Sequence, residues 1–208
     1  MGEVMIICKK IGDIFAQSMV DNNQISLEDR EVYSYCVEYA LDLVCFNGSL
    51  LLMGVILHNF LNSIIYLLTL VPLKMMAGGA HANSRKMCSL ISYSVFFMVL
   101  LLSQVSVGNY YILHVTLFLM LIGVVIMTPV EHPDQSFSLR QRKRLKTIIT
   151  IYSCFLFEMS LFLQEFACLK YCVTLVLCVL VVLSNQIIGV MLYKSWRKMH
   201  DTEDRHLR

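Results

Sequence analysis

Apolar residues in this chain come in long runs separated by short polar breaks. Leu50 to Val71, Leu90 to about Val107, Tyr110 to Thr128, Thr147 to about Phe166 and Leu169 to Tyr193 are such runs. Each approaches the roughly 20 residues a helix needs to cross the hydrocarbon of a bilayer. A sixth run, from about Leu27 to Cys45, is the least apolar. The breaks carry turn chemistry: Asp21-Asn22-Asn23, Phe46-Asn47-Gly48-Ser49, the stretch after Pro72, Gly108-Asn109, and the polar segment Pro129 to Lys146. Ser26 is the expected N-cap of the helix that follows it, with Asp29 in the capping-box position. Before these runs, Val4, Ile7, Ile11, Ile14 and Phe15 recur at helical spacing among Lys9, Lys10 and Asp13. That is an amphipathic stripe, too polar to span. The pattern predicts an all-α polytopic membrane protein: an interfacial helix over residues 1–22, a helical core over 27–193 with about six transmembrane helices in three hairpins, and a tail over 194–208, all one membrane-embedded domain.

Composition agrees, with 57% hydrophobic and only 15% charged residues, against about 25% charged in a soluble domain. The net charge of +2 gives no footing for a nucleic-acid partner, and the placement of the basic residues tells more than their sum. Lys9 and Lys10, Lys74 with Arg85 and Lys86, the Arg140–Lys146 cluster and the tail Lys194-Ser195-Trp196-Arg197-Lys198 all fall on one side of the predicted hairpins. The opposite turns, near Asn47, Asn109 and Lys170, hold one basic residue between them. The positive-inside rule then puts both termini in the cytoplasm of a multi-pass plasma-membrane protein.

Eight cysteines are spread along the chain without a C-x-x-C pair, so no metal site and no cofactor are expected. Most sit in apolar runs and read as small buried hydrophobes. Cys88 differs: it lies seven residues after His81, beside Gly78-Gly79, at the polar break that follows Pro72. On the cytoplasmic boundary only His81 and His132 remain as bases, with Cys88 and Cys8 as thiols. Seven residues of regular helix climb about 10 Å, too far for a Cys–His hydrogen bond. A dyad would need a bend at the glycines that folds His81 back to the start of the third span, where a helix N-terminus favours a thiolate. The same spacing also fits an interfacial histidine and an ordinary buried cysteine. Glu38, Asp42 and Glu158 lie within apolar helices, where a carboxylate faces a polar cavity or a polar partner such as Asn59, Asn62 or Asn185. The basic run from Arg140 reads as an anchor against anionic lipid.

The stretch Lys74-Met75-Met76-Ala77-Gly78-Gly79-Ala80-His81-Ala82-Asn83-Ser84-Arg85-Lys86-Met87-Cys88 resembles the accessory gene regulator B (AgrB) family, membrane cysteine endopeptidases that process a bacterial peptide pheromone precursor. The likeness extends through Tyr35-Cys36-Val37-Glu38, similar to the family's Y-G-L-E with cysteine for glycine, and Pro129-Val130-Glu131-His132-Pro133, similar to its P-V-E-x-P loop. The resemblance implies that His81 is the catalytic histidine and Cys88 the nucleophile, with Gly78 and Gly79 supporting the motif. Lys74 stands where the family commonly has arginine; it keeps the charge and loses the bidentate fork. Glu38 or Asp42 would be the orienting acid of a triad, Glu38 first. The implied partners are an AgrD-like propeptide, the lipid bilayer and a second copy in a homodimer. The implied reaction removes the propeptide's C-terminal tail through a Cys88 acyl-enzyme, enabling thiolactone ring closure in quorum sensing. The runner-up is a small ion or solute transporter or channel lined by Glu38, Asp42, Glu158 and His58.

Overall fold

The computed structural model describes residues 2–80, 84–104, 109–130, 137–166 and 169–206. Seven helices run through them: α1 (Gly2–Asp21), α2 (Arg30–Ile56), α3 (Phe60–Ala77), α4 (Arg85–Leu102), α5 (Tyr110–Met127), α6 (Leu139–Glu165) and α7 (Leu169–His206). Five of these, α2, α3, α5, α6 and α7, are long and apolar enough to cross a membrane, and α4 contributes a shorter apolar helix over Met87–Leu102. The all-α, polytopic architecture expected from the sequence is what the chain forms. It divides into two compact units, Met1–His58 and Asn59–Arg208.

In the first unit α1 pairs with α2 through its small residues. Cys8 and Ala16 are buried, and a Cβ on Gly12 between them would lie 2.7 Å from the Ser34 carbonyl oxygen, so the two backbones approach closely there. Ser34 Oγ donates to Asp13 Oδ1 at 2.7 Å beside that contact. The apolar stripe of α1 is left outside: Ile7, Ile11, Ile14 and Phe15 are 45–70% exposed. An apolar face turned away from its own protein suits a helix lying in the membrane interface.

Two predicted breaks are displaced. The turn expected at Phe46–Ser49 is helical, and α2 runs through it. Ser49 Oγ donates to the Phe46 carbonyl at 2.7 Å, so its hydroxyl is satisfied inside the helix. Gly48 has open space around it. The chain turns instead at Leu57–Asn59, where His58 adopts φ +53°. Histidine tolerates that left-handed region better than β-branched residues do. Pro72, expected to end the next span, sits within α3, which continues to Ala77. Proline frees the carbonyl four residues earlier, here that of Leu68, and the Tyr152 hydroxyl on α6 donates to it. Ser26 does accept from the Asp29 amide, at 3.2 Å, but this closes a turn, and α2 begins only at Arg30.

In the second unit α7 runs among α3, α4, α5 and α6. Leu73 and Ala77, Leu117 and Val124, Ile149 and Leu156, and Leu175 and Val179 are fully buried between four of these helices. Tyr66 and Phe96 join α3 to α4 edge to face, with ring centroids 5.1 Å apart. Some polar groups buried in this core are paired, while Thr69 Oγ1, Ser153 Oγ and Gln186 Oε1 have no hydrogen-bond partner. Asn62 donates to Ser103 Oγ at 2.7 Å and accepts from Thr174 Oγ1, so its partners are hydroxyls, not the carboxylate the sequence suggested.

Candidate active site

The end of α3 is built from glycine. Gly78 caps the helix with φ +71°, its amide donating to the Lys74 carbonyl at 3.3 Å. Gly79 follows at φ +136°. Space forbids a side chain at either position. A Cβ on Gly78 would fall 2.5 Å from the Val130 carbonyl oxygen, and one on Gly79 would fall 2.3 Å from Asn185 Nδ2. The Val130 amide, just beyond the cis Thr128-Pro129 bond, donates to the Ala77 carbonyl at 3.0 Å, and Gly78 and Val130 form an isolated parallel bridge.

Helix α7 holds the other side of this turn. Gln186, completely buried, directs Nε2 at the Ala77 carbonyl at 3.3 Å, Thr128 Oγ1 at 3.1 Å and the Val124 carbonyl at 3.5 Å. Tyr193 Oη donates to the Gly79 carbonyl at 3.1 Å. The Ala80 amide donates to the Asn185 carbonyl at 3.3 Å. Gly189 makes the approach possible, because a Cβ there would lie 2.9 Å from the Ala80 nitrogen.

The next residue, His81, lies outside the described residues, as do His132 and Cys168. The chain resumes at Ser84, the N-cap of α4, whose Oγ accepts from the Met87 amide at 3.2 Å. Cys88 sits in the following turn, half-buried, with its amide donating to the Ser84 carbonyl at 3.0 Å. Its sulfur therefore belongs to the first turns of a capped helix, where the free amide groups create a positive field. Lys74 is half-buried in the last turn of α3, and Glu38 is half-buried on α2 in the first unit.

Among the described residues, His114 and Cys8 are engaged elsewhere. His114 Nε2 pairs with Gln164 Oε1 at 2.7 Å and Nδ1 with Ser160 Oγ at 2.9 Å, so both ring nitrogens are occupied. Burial against α2, then the Asp42 carboxylate and Cys45, push the Cys8 thiol up to about 11, far from thiolate chemistry at neutral pH. Cys172 and Cys178 are buried, and Cys36, Cys45 and Cys154 lie on exposed helix faces. Glu158 is exposed on α6, away from the buried core of its unit. Sequence reasoning missed the α7 residues that grip the turn. Their signal was present: Asn185-Gln186 interrupts the apolar run of α7, and polar residues at such depth need partners.

Helices with long apolar spans, carrying a double-glycine turn and a capped cysteine helix on either side of one histidine in the chain, define a multi-pass membrane protein. The family profile of accessory gene regulator B matches residues 12–190, and the chain belongs to that family. Its place is thereby in accessory gene regulation and the membrane processing of an AgrD-type peptide. Comparison with curated proteins and with solved structures found no match.

Proposed function

We infer that this protein is a membrane cysteine endopeptidase that removes the C-terminal tail of an AgrD-like precursor through a Cys88 acyl-enzyme. The observation that carries the reading is the pair of fixed ends around the motif: a turn clamped through Ala80 and a helix capped by Ser84, with His81 and Cys88 between and just beyond them. The Cys88 thiolate attacks the carbonyl preceding the tail, and the electron pair moves onto its oxygen. Collapse of that intermediate breaks the C–N bond, and His81 delivers the proton to the departing amine. A thioester to Cys88 remains. The precursor's own cysteine attacks it, closing a thiolactone and returning the thiol to Cys88. Lys74 meets a carboxylate of the substrate as a point charge.

The basic segments support a site on the cytoplasmic side of the bacterial membrane, where a ribosomal peptide is made, with both termini on that side. The working unit is a homodimer, one domain per chain, and crosslinking in native membranes that yields only monomer would count against this.

The decisive experiment places the purified protein in liposomes with the propeptide encoded by its neighbouring gene. Cys88→Ala abolishes cleavage and the trappable acyl-enzyme while insertion is preserved. His81→Ala falls nearly as far, and the double variant is little worse, because groups acting as one unit are strongly non-additive. Cleavage that persists in Cys88→Ala removes the mechanism.

A further inference from the structure

We propose that Gln186 and Tyr193 of α7 are positioning residues for the peptidase reaction, holding the Gly78–Ala80 turn so that the chain enters His81 in one fixed direction. This rests on the peptidase reading above.

The argument begins with spacing. Seven residues separate Gln186 from Tyr193, which returns them to one helix face about 10 Å apart along the axis. Gly189 lies between them. Their donors reach the turn at two points: Gln186 Nε2 at the carbonyl of Ala77, the last residue of α3, and Tyr193 Oη at the carbonyl of Gly79. Between these points the glycine leaves a gap in the α7 surface, and the loop backbone fills it, close enough that any Cβ at position 189 would strike Gly79 or Ala80. Asn185 completes the grip with its backbone carbonyl on the Ala80 amide. The residue immediately before His81 in the chain is therefore fixed by a direct hydrogen bond to α7.

Stability alone is a poor reason for a glutamine here. Gln186 is fully buried, and its Oε1 has no hydrogen-bond partner. A buried acceptor left unsatisfied is costly, and a leucine or methionine of similar volume would avoid it. What only the amide supplies is a donor shared between the ends of two helices, the Ala77 carbonyl of α3 and Thr128 Oγ1 after α5. The amide thus ties the glycine turn to the start of the Pro129–Val130 segment, which itself bonds Ala77. Tyr193 adds a directed bond to the Gly79 carbonyl at the end of a long side chain. Both are devices for orientation, and catalysis by a paired thiol and imidazole is sensitive to displacements of about 1 Å.

The test uses full-length protein in liposomes with the cognate propeptide, comparing wild type, Tyr193→Phe, Gln186→Leu, Tyr152→Phe and Cys88→Ala. Tyr193→Phe removes the hydroxyl that donates to the Gly79 carbonyl. Expected are a kcat lower by about tenfold to a hundredfold with KM little changed, an unchanged melting temperature, and faster amide hydrogen exchange in the peptide that contains Ala80. Gln186→Leu behaves alike. Tyr152→Phe, which loses a hydrogen bond to the Leu68 carbonyl far along α3 from the turn, lowers the melting temperature and keeps kcat. Wild-type kcat in both α7 variants, with Cys88→Ala inactive, overturns the positioning role and leaves the peptidase reading standing. Losses of kcat that merely follow losses of melting temperature also overturn it. Cleavage by Cys88→Ala overturns the peptidase reading and this inference together, and unchanged exchange at Ala80 separately shows that α7 does not hold the turn.

Discussion

At the scale of single residues the double glycine is the most constrained part of the chain. Each glycine has a positive φ and a neighbour where its Cβ would stand. Gly79→Ala must therefore displace Asn185 and also accept a backbone conformation that costs a non-glycine residue roughly 1–3 kcal/mol. The expected outcome is protein that inserts but melts lower in detergent, with cleavage lost. Gly48→Ala, at an open position of α2, gains helix propensity of up to about 1 kcal/mol and leaves cleavage intact. The cysteines separate by the same kind of local argument. With its thiol pushed up to about 11 by burial and by Asp42, Cys8 holds almost no thiolate until the pH approaches that value. Its alkylation by iodoacetamide should stay slow at pH 8 and rise steeply only toward pH 11, whereas Asp42→Asn should bring that rise to lower pH. Rapid modification of Cys8 at pH 8 would contradict the assignment.

At the scale of elements, several of the described helix ends are satisfied by side chains. Ser84 and Asn109 cap α4 and α5 through side-chain oxygens, and Ser138 with Gln141 forms a full capping box on α6. Helix α3 has no such start and carries a proline, so it relies on its neighbours: Tyr152 for the carbonyl that Pro72 frees and Gln186 for the carbonyl at its end. Removing the Tyr152 hydroxyl should cost about 0.5–1.5 kcal/mol, the usual net worth of one hydrogen bond. Pro72→Ala would restore the missing amide donor for Leu68, so in the pair of substitutions the loss at Tyr152 should shrink. A thermal-melt double-mutant cycle that finds the two effects additive would break this link. Helix α1 works by subtraction: small residues at Cys8, Gly12 and Ala16 admit α2, and the bulky stripe remains for lipid.

At the scale of the whole molecule the placement of basic residues predicts sidedness. With six helices from α2 to α7 each crossing once, the positive-inside rule predicts the segments near Arg85 and Gln141 on one face, together with the ends of the chain. Those near His58, Gly108 and Lys170 are expected on the other. Because α2 runs past Gly48 to Ile56, His58 replaces Gly48 as the position expected on the outer face. Single cysteines at His58, Gly108 and Lys170 should react with an impermeant thiol reagent added outside intact cells. Ones near Arg85 and Gln141 should be protected, since basic loops stay in the cytoplasm. Labelling near Arg85 from outside would put the site on the wrong face for a substrate made within the cell.

The sequence by itself determined the class of this protein. Runs of apolar residues long enough to span a bilayer leave little choice of architecture, because only helices satisfy their own backbone in lipid. It also located the motif, since Gly78-Gly79 and Cys88 bracket a polar break between two such runs. It could not place breaks that depend on neighbours. Gly48 looks like a turn residue and Pro72 like a terminator, yet the first has open space in a continuing helix and the second is sustained by a hydroxyl from α6, some 80 residues away. The same reason hid the grip on the double-glycine turn. Gln186, Gly189 and Tyr193 lie more than 100 residues beyond Gly79 in the chain, and hydrogen bonds between distant segments leave no periodicity to read. Only the packing of α7 against the end of α3 decided which polar residues meet.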